Sequence, residues 1–353
     1  MSGGFFYVIL PTKERIMQIS KNFGGKFLQG CGCLSIGIVV CLIIICIIPL
    51  DEDDKETAED QQPQEKTEQV EKKDSVVVTE VMEGDPYKEL DELIGLEQVK
   101  EEVRSLANFV KVQKQREAQG MKRPKMSYHL VFTGSPGTGK TTVARIVARI
   151  YKDLGVLKKG HTVETDRSGL VAAYVGQTAI KTNALIDSAL NGVLFIDEAY
   201  ALVPERKDND YGQEAISTLL KRMEDDRDKL VVIVAGYTDE MKHFIDSNPG
   251  LKSRFNRYIN FPDYSGKELY DIFCMYARKN QYKLTPEAEV HLKKLFDYAV
   301  AHKDRNFGNA RFARNIFEKS IQRQANRLSN VTNATKEQLT LLTIDDVKWG
   351  SKK

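Results

Sequence analysis

The stretch GSPGTGKTT, Gly134 to Thr142, constrains this chain more than any other. It fits the pattern G-x-x-x-x-G-K-[ST] from Gly134 to Thr141, which cradles phosphates only where a strand enters it and a helix leaves it. Tyr128 to Thr133 (YHLVFT) is an apolar β-like run, and VARIVARIYKDL from Val143 carries apolar residues at helical spacing. Strand, loop and helix therefore occur in the required order. The loop residues Ser135, Pro136, Gly137, Thr138 and Gly139, with Lys140, Thr141 and Thr142 opening the helix, are expected to bind a phosphate chain. Glycines allow close backbone approach, Pro136 stiffens the turn, Lys140 reaches the outer phosphates and Thr141 holds Mg²⁺. The helix N-terminus adds its partial positive charge.

A second run, NGVLFIDEAY from Asn191 to Tyr200, reads as a buried strand ending in two acids. Asp197 is placed to reach Mg²⁺ through its water shell, and Glu198 to polarise a water for attack on a terminal phosphate. KLVVIVAGY (Lys229 to Tyr237) and RYINFP (Arg257 to Pro262) are further strand-like runs, separated by helical patterns. Such alternation predicts an α/β fold with a parallel sheet and its ligands at the carboxyl ends of the strands. From Ser265 onward helical patterns dominate, as in a small separate domain.

The chain of 353 residues is 41% apolar, enough for one large or two ordinary domains. Its net charge of +2 gives no case for a nucleic-acid-binding surface. The charge is nevertheless uneven: residues 1–30 hold four basic residues and one acidic, whereas residues 51–74 hold eleven acidic and four basic. No residue from Phe27 to Leu50 is charged, and residues 31–50 are long enough to cross a bilayer as a helix. Cys31, Cys33, Cys41 and Cys46 lie in this run and Cys274 stands apart, which is neither a disulfide framework nor a metal-ligand spacing.

The motifs taken in order (LIGLEQVK, GSPGTGKTTVAR, AAYVGQTAIKT, GVLFIDEAYALV, NPGLKSRF, INFPDYS and NARFARN) resemble those of AAA+ ATPases of the group containing CbbX, the red-type Rubisco activase, and stage V sporulation protein K. The resemblance implies ATP and Mg²⁺ as cofactors, a P-loop core with a small α-helical lid, and a homo-oligomeric ring, a hexamer. It implies that Ile94 and Gly95 form the adenine-side wall. It also implies that Tyr174, Val175 and Gly176 form a pore loop gripping a protein client, that Arg254 is an arginine finger reaching the neighbouring subunit, and that Arg311 contacts nucleotide from the lid. Arg257 is a second finger candidate, and Arg314 reads as structural. Where many such proteins have Asn after the fourth strand, this chain has Tyr237 and Thr238, and Thr238 is taken as the residue sensing the terminal phosphate.

The expected organisation is an N-terminal segment (1–30), a transmembrane helix (31–50), an acidic spacer (51–85), the ATPase core (86–262), the helical lid (263–330) and a tail (331–353). Lys13, Arg15, Lys21 and Lys26 before the span favour a cytoplasmic N-terminus. An ATPase needs ATP, and that requirement places the catalytic part in the cytosol instead. The expected function is a single-pass, membrane-anchored ATP hydrolase that remodels or threads a protein client, without nucleic acid. The alternative is an ATP-gated membrane scaffold that threads nothing.

Overall fold

The structure, a computed structural model, describes residues 76–79, 84–122, 127–174, 176–203 and 211–348. The expected membrane span at 31–50, the segment before it, most of the acidic spacer and Val175 lie outside the described residues. Among the described residues no helix is long and apolar enough to cross a membrane.

The chain runs through β1 (Val77–Thr79), α1 (Pro86–Glu92), α2 (Glu97–Ala118), β2 (Leu130–Gly134), α3 (Lys140–Asp153) and β3 (Thr162–Thr165). It continues through α4 (Arg167–Leu170), α5 (Thr178–Ala189), β4 (Val193–Ile196), a 3-10 turn (Ala199–Leu202), α6 (Gly212–Asp225) and β5 (Val231–Gly236). Helices α7 (Thr238–Asp246) and α8 (Pro249–Arg254) lead into β6 (Tyr258–Phe261). The six strands form one sheet in the order β1-β3-β4-β5-β2-β6, parallel except for β1.

Alternation along each strand splits the core in two. Leu130, Phe132, Val193, Phe195, Ile233 and Ala235 face α2, α3 and the lid, whereas Val131, Leu194, Ile196, Val232 and Val234 face the cluster built by α5, α6 and α7. A strand buried on both faces must be apolar at every position, which is why these runs show no polar alternation. Burying a side chain such as Phe132 contributes about 1.5–3 kcal/mol. Because β2, β4 and β5 are parallel neighbours, their carboxyl ends, Gly134, Ile196 and Gly236, open on one edge of the sheet.

The lid comprises α9 (Gly266–Lys279), β7 (Lys283–Leu284), α10 (Pro286–Ala301) and α11 (Asn309–Leu328), followed by α12 (Lys336–Thr340), β8 (Leu341–Leu342) and α13 (Ile344–Val347). Ser265 and Glu268 make a reciprocal capping box that starts α9 where the core ends. Phe273 packs edge-on against Phe317 at 5.6 Å and tilted against Phe296 at 6.2 Å, tying α9, α10 and α11 together.

Two expected boundaries are corrected. The spacer does not extend to residue 85: the β-branched run Val77–Thr79 pairs antiparallel with β3, and the Thr79 hydroxyl donates to Glu164 Oε1 at 3.2 Å. Residues 331–348 are part of the lid rather than a tail. Strand β8 pairs with β7, Gln324 Nε2 faces the carbonyls of Gln338, Leu339 and Leu341, and Arg327 pairs with the buried Asp346 at 2.8 Å.

Candidate active site

Strand β2 ends at Gly134, whose backbone lies so close to β6 that a Cβ there would sit 2.3 Å from the Phe261 carbonyl oxygen. The loop then turns back to α3. Gly137 has φ +71 and presses on the lid, where a Cβ would lie 2.2 Å from Gly308 O. No side chain caps the first turn of α3, so its leading N–H groups stay available to an anion. Lys140, the first residue of α3 and only 9% exposed, donates from Nζ to the carbonyls of Gly134 and Ser135, each at 2.8 Å. Burial pulls its pKa down; Asp197 opposes that, Arg311 adds to it, and Glu198 and Asp263 oppose it more weakly.

Core and lid meet around this loop in a cleft. From the core come Pro136, Gly137, Gly139, Lys140, Thr141, Thr142, Asp197, Glu198, Gly236 and Tyr237, and from the lid Tyr276, Ala310, Arg311 and Arg314. Asp197 is fixed at the end of β4 by its N–H donating to Thr165 O at 2.8 Å, and its carboxylate accepts from the Glu198 N–H at 3.1 Å. Glu198 adopts a left-handed backbone, φ 50, rare for a residue with a Cβ, and its side chain is exposed. Burial first, then Glu198 and other neighbours, push the Tyr200 hydroxyl up to about 12.

Other expected residues fall outside the cleft. Thr138 is fully buried and turns inward to donate to Ser135 O at 2.9 Å. Ser135 and Thr238 line a neighbouring cavity with Asp263, Lys303 and Arg305; Thr238 is exposed at the start of α7, while Tyr237 lines both spaces. Ile94 packs partly buried on the core, Gly95 approaches Glu268, and the apolar atom nearest Gly139 belongs to Leu96. Tyr174 is 71% exposed between α4 and α5, and Gly176, φ +77, stands in open space.

Arg254 ends α8, away from its own cleft lining. Its Nη2 reaches Glu224 Oε2 at 3.3 Å and its Nη1 the Gly250 carbonyl at 3.4 Å, while Nε is buried without a partner. Arg257 instead lies over the Phe109 ring at 5.0 Å. Three residues near the loop carried no expected role in phosphate binding: Tyr264, Asn309 and, read only as structural, Arg314. The one local signal was Asn309 itself, an Asn after a Gly at a helix start, a pairing that tolerates a left-handed backbone.

A phosphate loop on an internal parallel strand, two acids at the end of β4 and a lid arginine in the same cleft define a P-loop ATPase. The chain belongs to the AAA family: residues 130–263 match the ATPase family associated with various cellular activities and residues 265–353 match the AAA lid domain. It is an ATP hydrolase. It is 45% identical over 245 residues to stage V sporulation protein K of Bacillus subtilis, covering 68% of this chain and 75% of that protein. To Protein CbbX of Cereibacter sphaeroides it is 44% identical over 257 residues, covering 72% and 82% respectively. The crystal structure of the FIGL-1 AAA domain shares the fold, with a TM-score of 0.54 at 18% identity over 77% of this chain and 83% of that one.

Proposed function

We propose that this ATPase acts as a subunit of a hexameric ring that grips and remodels a protein client, anchored to a membrane through residues 31–50 with its catalytic part in the cytosol. The observation that carries the reading is Tyr174, a large aromatic 71% exposed beside an unobstructed Gly176. Such a ring holds any peptide by apolar contact without reading its sequence. Family members commonly form ring oligomers.

In this reading Lys140 leaves the Gly134 and Ser135 carbonyls for the phosphate oxygens, which restores to the ammonium the favourable charge contact that burial denies it. Glu198 accepts a proton from the water whose oxygen bonds to the terminal phosphorus as the bridging P–O bond breaks. Arg311 stabilises the charge from the lid and Arg254 from the adjacent subunit. The Thr141 hydroxyl and Asp197 carboxylate are hard oxygen donors in one cleft and fit Mg²⁺, which when bound neutralises charge on the phosphates.

The test is to mix two inactive full-length variants. Arg254→Ala keeps its own cleft and Lys140→Ala keeps its finger, so a mixed ring regains ATP turnover at shared junctions. Mixtures as inactive as their components would overturn the shared site. Protease protection of a C-terminal tag in sealed vesicles tests the membrane placement; a tag digested only after the membrane is breached places it on the other side.

A further inference from the structure

Asn309 opens α11 at the point where the lid returns to the core. It is 0% exposed and its backbone is left-handed, φ 45. Its carboxamide joins three segments. Oδ1 accepts from the Tyr264 N–H at 3.0 Å, and Nδ2 faces the Asp263 carboxylate at 2.9 Å, the Phe307 carbonyl at 3.2 Å and the Pro136 carbonyl of the phosphate loop at 3.3 Å. One residue on, the Ala310 N–H donates to Gly137 O at 3.1 Å.

An amide nitrogen carries two hydrogens, so three acceptors outnumber its donors. The longest contact, to Pro136, is released at the least cost. The contact to Asp263 is held from several sides: burial alone would raise that carboxyl, but hydrogen bonds from Lys303, Asn309 and Ser135 together hold it below its ordinary value. Asn309 thus has one firm attachment at the core–lid junction and one exchangeable attachment to the phosphate loop. Arg311, which lines the cleft, lies two residues further along the same helix.

We propose that Asn309 is a positioning residue for ATP hydrolysis: it sets the phosphate loop in register with the lid and, by releasing or taking up the Pro136 carbonyl, passes loop movement into the helix that carries Arg311. It touches no reacting atom. The proposal rests on the ATPase activity and not on the ring.

The experiment uses the full chain with three readouts: kcat, KM for ATP, and energy transfer between dyes at the exposed positions Lys221 in the core and Lys294 in the lid. The informative variant exchanges the pair, Asp263→Asn with Asn309→Asp. A carboxylate at 309 still accepts from Tyr264 and from the new amide at 263, but it cannot donate to Pro136. The exchanged protein should melt near the parent, lose the nucleotide-induced change in energy transfer, and lose roughly 100-fold in kcat. Its KM should change less than about threefold, since ground-state binding is left in place. Parental kcat and a parental lid response in that variant would overturn the proposal. Should the exchange prevent folding, hydrogen exchange on the unaltered protein decides: a non-hydrolysable ATP analogue must change protection at the Ala310 and Tyr264 amides, and unchanged protection there sinks the idea.

Discussion

Lys140 Nζ donates to the carbonyl oxygen of Gly134, six residues behind it, at 2.8 Å, so the ammonium is folded back onto the loop it serves. Its pKa is lowered chiefly by burial, so the folded chain holds this proton less tightly than the unfolded chain does. Carrying the charge at neutral pH therefore costs stability. Lys140→Met is expected to raise the melting temperature of the nucleotide-free protein by roughly 2–4 °C per kcal/mol relieved. It should also abolish the further rise seen with saturating ATP. A lower melting temperature than the parent would show that the two carbonyl hydrogen bonds outweigh the buried charge.

Glu198 combines an exposed carboxylate with a left-handed backbone. Glu198→Gln keeps the shape and removes the base, and turnover should fall by roughly 10²–10⁴ with ATP binding retained. Glu198→Gly removes the strain as well, and should melt higher than the parent while remaining inactive. Calorimetry alongside steady-state turnover checks both; a destabilised Glu198→Gly would mean the backbone there is not strained.

Tyr174 is too exposed to hold the fold together. Tyr174→Ala should change stability by no more than about 0.5 kcal/mol and leave ATP turnover within about twofold. Remodelling of a client captured with the Glu198→Gln form should be lost. Normal remodelling by the alanine variant would favour the nucleotide-gated scaffold over a threading ring.

His129 lies 3% exposed under Arg254, its Nδ1 accepting from the Val232 N–H at 3.0 Å. Burial first, then the Arg254 charge, lower its pKa to about 4. The folded state thus binds this proton more weakly than the unfolded state, and stability present above pH 6.5 is lost as pH falls toward 4. The loss approaches about 3 kcal/mol. His129→Asn, which keeps an acceptor near Val232, should flatten that part of the stability curve in urea titrations between pH 6.5 and 4. An unchanged slope would assign the acid sensitivity to other groups.

The phosphate loop, the acids Asp197 and Glu198, and the α/β order were legible because each depends on a short contiguous pattern whose local backbone preference is strong. The position after β5 was not. Tyr237 and Thr238 are adjacent, both polar, and only the path from β5 into α7 decides that Tyr237 lines the cleft while Thr238 starts a helix beside it. Likewise the short strand Leu341–Leu342 has no meaning until Lys283–Leu284 lies alongside it.

What the amino-acid order determined by itself was the chemistry of the loop, since glycines and an adjacent lysine shape an anion site within a few residues of chain. What tertiary structure alone decided was the company that loop keeps: Asn309, which carried no expected role, comes to it from more than 160 positions away, on the helix that also brings Arg311. They are brought there by burial of the apolar faces of α9 and α11, a non-directional force whose helical spacing is legible locally but whose choice of packing partner is not.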